Sequence, residues 1–135
     1  MGKIKVGDTA SFAKTITETD IYGFAGISGD FNSAHIDQVA AENGPFGNRI
    51  AHGMLVGSLI STVLGTKLPG SGTIYLEQNL KFKKPVYIGD TATAIATLSE
   101  IINQEKGIIK LDTVVKNQKD DIVIEGYAVV MYHNL

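Results

Sequence analysis

The chain has 135 residues, a formal charge of −2 and no cysteine. It is read as one domain over 1–135, long enough to bury roughly 70% of the surface its unfolded chain exposes. Thiol nucleophiles, cysteine-rich zinc sites and disulfide frameworks are excluded, a cytoplasmic location is expected, and twelve scattered basic residues without Trp give no footprint for nucleic acid.

Met1–Val6 lacks the long apolar stretch of a signal peptide, and Val6 stands where a myristoylation motif has Ser or Thr, so the N-terminus reads as untargeted. Thr9 to Thr17 mixes Phe, Thr and Ile and predicts a strand. Thr19-Asp20 is placed to cap a helix carrying Ile21, Phe24, Ala25 and Ser28 at helical spacing and ending near Gly29. A polar run from Asp30 to Ser33 follows. Asp37 then caps a short helix through Val39, Ala40 and Ala41, which Gly44-Pro45 stops.

Gly53 to Lys67 predicts a longer helix whose apolar residues surround most of its circumference, the mark of a buried helix. Its apolar tract, Met54 to Leu64, is broken by Gly57, Ser58, Ser61 and Thr62 and falls short of the ~20 residues a membrane span needs. The small residues fall largely four apart, leaving a stripe where a backbone or a ligand can approach.

Strand-like segments follow almost without interruption. Ile74, Leu76, Gln78, Leu80 and Phe82 alternate with more polar residues, predicting a half-buried strand. Gly89-Asp90, Gln104–Gly107 and Asn117–Asp121 punctuate three more strands, and the last, near Ile122 to Tyr132, is continuous enough to lie mid-sheet. Helices before strands give an α+β plan: one long buried central helix wrapped by a curved antiparallel β-sheet, the hot-dog arrangement.

Three histidines limit the candidates for acid–base chemistry. His133 stands at the C-terminus and is set aside. Asp30 and His35 are five residues apart, about 140° on a straight helix, so they converge only across a turn. Gly29, Asp30, Asn32 and Ser33 supply the chemistry of a turn, and a carboxylate beside an imidazole is what activation of water needs. The same residues also fit a capped turn, with Asn32 in an Asx-turn and His35 half-buried at the surface.

Gly53 opens the long helix, so its N–H is among the unpaired donors that favour an oxyanion. A packing glycine explains it equally well. His52 reads as a structural loop residue. Arg49, the lone arginine, fits pairing with a carboxylate better than phosphate binding. Lys81, Lys83 and Lys84 read as a solvated strand face or a seat for phosphate.

Gly29-Asp30-Phe31-Asn32-Ser33-Ala34-His35-Ile36-Asp37 and Arg49-Ile50-Ala51-His52-Gly53-Met54-Leu55, continued by Ile74–Phe82 and Pro85–Asp90, resemble the MaoC-like family, in particular its short (R)-specific enoyl-CoA hydratases. The resemblance covers nearly the whole chain. It implies a homodimer of hot-dog subunits, an acyl-CoA substrate, and reversible hydration of a trans-2-enoyl thioester to the (R)-3-hydroxyacyl thioester without a metal or other cofactor. It also implies Asp30 and His35 as acid–base residues, Asn32 as support for their loop, and the Gly53 amide on the thioester carbonyl. Ser61, Leu64 and Val129 are placed near the acyl chain. Ser33 stands where the family usually has Pro. The same fold also hosts thioesterases, dehydratases acting on acyl-carrier protein, and modules that bind acyl-CoA without turnover.

Overall fold

The computed structural model describes residues 3–135; Met1 and Gly2, the start of the segment read above for targeting, lie outside the described residues. Strand β1, Thr9–Thr15, runs into helix α1, Glu18–Ser28. The helix begins two residues earlier than Thr19-Asp20 suggested. Thr17 is its N-cap, and its hydroxyl accepts from the Asp20 N–H while the Asp20 carboxylate accepts from the Thr17 N–H. Asp20 thus closes a capping box and is not itself the cap.

Ser33–Ile36 forms a single turn, α2, inside what reads as a loop, and α3, Gln38–Glu42, is capped by Asp37 as expected. Helix α4, Gly53–Thr66, buries Val56, Leu59, Ile60, Val63 and Leu64. It lies on the inner face of a five-stranded antiparallel sheet made of β1, β2 (Ile74–Phe82), β3 (Thr91–Asn103), β4 (Ile108–Lys116) and β5 (Ile122–Met131). The strand order is β1-β3-β4-β5-β2, so β5 lies mid-sheet. On β3 the buried positions are Ala92, Ala94, Ala96 and Leu98. Three small side chains in a row let the large residues of α4 sit close to the sheet.

Strand β2 departs from the simple alternation. Its register against β5 steps from Tyr75–Val130 to Glu77–Val129, so Leu76 is an extra residue. Such a bulge shifts the pleat by one. Tyr75 therefore shares the side of buried Val130 but is itself 41% exposed, and its partial burial pushes its phenol up to about 12. Ile74 and Leu76, expected on the apolar face with Gln78, Leu80 and Phe82, are 46% and 48% exposed. The half-buried strand predicted from alternation is an edge strand with little cover.

Of the small residues along α4, Gly57 faces β2, as does Gly53 at the helix start, while Ser58, Ser61 and Gly65 are exposed. A Cβ built on Gly53 would lie 2.7 Å from the Phe82 ring, and one on Gly57 would lie 3.3 Å from Leu80. Gly53 and Gly57 thus serve helix-to-strand packing over the first two turns.

Candidate active site

The site is built by a run of short hydrogen bonds after α1. Gly29 ends that helix at φ 79°, in the left-handed region. The Ser28 hydroxyl donates to the Phe24 carbonyl and accepts the Asp30 N–H. Asp30 Oδ1 accepts the Asn32 N–H at 3.1 Å, and Asn32 Oδ1 accepts the Ala34 N–H at 3.0 Å. These two steps reverse the chain within five residues, so Asp30 and His35 face one space although a straight helix would separate them. Asn32 is both the Asx-turn residue and the cap of α2. Ser33 occupies the first position of that turn, where an N–H has no helical partner and a proline would also fit.

His35 is 8% exposed, and its Nδ1 lies 2.7 Å from the Ile50 carbonyl. A carbonyl only accepts, so Nδ1 carries a hydrogen, and in the neutral ring Nε2 is the nitrogen with the lone pair. The Ile50 segment is itself strapped down: Ile50 N–H donates to Ala34 O and Ala51 N–H to Val86 O. His52, 2% exposed, donates from Nε2 to the Asp30 carbonyl at 2.9 Å and stacks on His35 with ring centroids 3.9 Å apart. Reading it as a structural loop residue missed this. Its partner is a main-chain carbonyl 22 residues away, which leaves no trace in local sequence.

Asp30, His35, His52 and Gly53 open on one cavity of about 760 Å³, with Lys83 and Lys84 also on its wall. Gly53 is the first residue of α4, with no preceding helical turn to accept its N–H. A carboxylate, a bare imidazole nitrogen and a helix-start N–H around one cavity can hold a water and polarise an adjacent carbonyl. The donors of Asp30, His35 and His52 lie within 4.8 Å of one another. As a metal cage the set fits poorly, because His35 Nδ1 and His52 Nε2 are already engaged by main-chain carbonyls and the two rings stack on each other.

Arg49 is buried and pairs with Glu18 at 2.6 Å, also donating to Tyr22 and Gln38. Its hydrogen bond holds the Glu18 carboxyl below the usual carboxylate range. This is the pairing that its position suggested, and it ties α1 to α3 behind the site. Lys83 and Lys84 pair with Glu125 and Asp121 on their exposed sides.

Ser61, Leu64 and Val129 do not line this cavity. Ser61 is exposed, Leu64 is buried in the core, and Val129 is half-buried on β5 opposite Glu77 and Lys110. The reason is distance along the elements. Ser61 and Leu64 stand roughly 12 and 16 Å down α4 from Gly53, and Val129 stands about 16 Å along β5 from Ile124, which does line it.

A MaoC like domain matches residues 4–120. The chain belongs to the MaoC-like family. An (R)-specific enoyl-CoA hydratase from Rhodospirillum rubrum is 52% identical over 95% of this chain and 88% of that protein. A mitochondrial 3-hydroxyacyl-[acyl-carrier-protein] dehydratase from Arabidopsis thaliana is 36% identical over 98% of the chain and 80% of that protein. Among solved structures, an (R)-hydratase from A. caviae involved in PHA biosynthesis superposes with a TM-score of 0.92 at 38% identity, covering 97% of this chain and 98% of that one. The MaoC-like chain thus has the hot-dog fold expected of it. No helix among its described residues is long and apolar enough to cross a membrane.

Proposed function

We propose that this chain is an (R)-specific enoyl-CoA hydratase in which Asp30 and His35 share one water. The observation that carries the reading is the convergence of the Asp30 carboxylate and the His35 imidazole on one cavity. The Gly53 N–H polarises the thioester carbonyl and makes C3 electrophilic. Water oxygen bonds to C3, one proton passes to the Asp30 and His35 pair, and a proton returns from the pair to C2. The sum is addition of H₂O across the double bond. It balances with acid–base groups alone, so no cofactor enters the scheme beyond the coenzyme A carried by the substrate. The same groups run the reverse dehydration.

Lys83 and Lys84 on the cavity wall supply positive charge for the phosphates of coenzyme A. The reading assigns Ser61, Leu64 and Val129, which stand beyond the lining of this cavity, to the far end of an acyl chain. The open β2 edge, with Ile74, Leu76 and Phe82 exposed, suits pairing with a second copy, so the reading includes a homodimer. It also includes a cytoplasmic location.

The test is loss of enoyl-thioester absorbance when the protein meets crotonyl-CoA, with free thiol measured in parallel. Rapid loss without thiol release is expected. Thiol release would point to thioester hydrolysis instead. The similarity to an acyl-carrier-protein dehydratase supports a second reading, decided by which crotonyl thioester, that of coenzyme A or that of carrier protein, has the higher kcat/KM.

A further inference from the structure

His52 is set into the site in a way that packing alone does not explain. Its ring lies between His35, at a centroid distance of 3.9 Å, and Phe24, at 4.9 Å. Nε2–H reaches the Asp30 carbonyl, while Nδ1 is buried with no hydrogen-bond partner. A buried polar atom without a partner is uncommon in native proteins and unfavourable. A phenyl ring would fill the same slot between two aromatic neighbours without it. What the imidazole adds is one hydrogen, and that hydrogen goes to the main chain of Asp30. The same ring forms the floor on which the His35 ring rests.

We infer that His52 is a positioning residue of the hydration reaction, aligning Asp30 through its carbonyl and His35 through its ring. The inference rests on the hydratase reading with Asp30 and His35 as the acid–base pair. Asp30 Oδ1 and Asn32 Oδ1 fix the loop from the side of α2. His52 fixes it from the side of α4, as the residue immediately before Gly53. One rigid helix start therefore sets both the amide that meets the substrate carbonyl and the height of the pair that handles the water.

The test compares His52→Phe with His52→Gln in hydration of crotonyl-CoA. The phenyl ring keeps the stack and loses the hydrogen; the glutamine amide keeps an N–H for the Asp30 carbonyl. In His52→Phe, kcat is expected to fall about 10- to 100-fold, the effect of misplacing reacting groups by roughly 1 Å. KM stays within about twofold and thermal stability is unchanged or higher. His52→Gln recovers a substantial part of that kcat. A His52→Phe enzyme with kcat within about twofold of wild type, or one whose activity falls only as far as its folded fraction, overturns the inference.

A measurement on the unmodified protein covers the case in which neither variant folds: imidazole ¹⁵N shifts report the tautomer of His52. An Nε2–H ring supports the inference, and an Nδ1–H ring removes its donor and overturns it. If wild type hydrates no enoyl-CoA, the hydratase reading fails and the inference is overturned with it; if wild type hydrates but His52 carries Nδ1–H, only the inference is overturned.

Discussion

Replacing Asp30 by Asn separates chemistry from architecture at this site. Asp30 Oδ1 accepts the Asn32 N–H at 3.1 Å, and an asparagine Oδ1 can accept the same bond, so the turn that carries His35 is kept. What is lost is a carboxylate able to take a proton. General acid–base catalysis contributes about 10²- to 10⁴-fold, or roughly 3–5 kcal/mol of barrier. We therefore expect Asp30→Asn to lower kcat on crotonyl-CoA by at least about 100-fold with its melting temperature within a degree or two of wild type. Asp30→Ala also removes the bond to Asn32 and is expected to lose a further 0.5–1.5 kcal/mol, roughly, of stability. Absorbance assays and thermal melts of the three proteins decide it. If Asp30→Asn keeps more than about a tenth of wild-type kcat, Asp30 is not the proton-handling group.

Asn32→Ala removes the cap of α2; about 1 kcal/mol of stability and a clear drop in kcat are expected, measured by denaturant melts and turnover. In Gly53→Ala the new methyl meets the Phe82 ring at 2.7 Å, and that ring, 53% exposed, must swing across the cavity wall. Stability should change by less than about 2 kcal/mol while kcat/KM falls about tenfold, and an unchanged kcat/KM would count against close approach of substrate at Gly53. For Glu18, the depressed carboxyl means that its contribution is present above the unfolded value of about 4.3 and is lost as pH falls through the folded value. The melting temperatures of wild type and Glu18→Gln are thus expected to differ at neutral pH and to converge only once the pH has fallen below the lowered folded value.

Periodicity and caps made the elements legible. The long helix from Gly53, the Asp37 cap, the turns at Gly89, Gln104–Gly107 and Asn117–Asp121, and the place of the last strand inside the sheet all follow from local spacing, and the structure keeps them. The first helix shows the limit of a local signal. Both Thr17 and Thr19 are plausible caps, and the reciprocal bond with Asp20 selects Thr17. The bulge at Leu76 shows another. Alternation cannot reveal an extra residue, because a bulge is defined by the partner strand, here β5.

At the site, the sequence by itself determined that Asp30 and His35 sit across a polar turn and that Gly53 starts a buried helix, since both depend on neighbours within a few residues. Only the tertiary structure decided the tautomer of His35, through the Ile50 carbonyl 15 residues on, and the engagement of His52, through the Asp30 carbonyl 22 residues back. It also decided that Gly53 and Gly57 are packed by Phe82 and Leu80, and that Ser61, Leu64 and Val129 lie away from the cavity. Main-chain carbonyls carry no residue identity, and the distance from a helix start to a strand end depends on how the sheet curls around α4. For both reasons these relations exist only once the chain has folded.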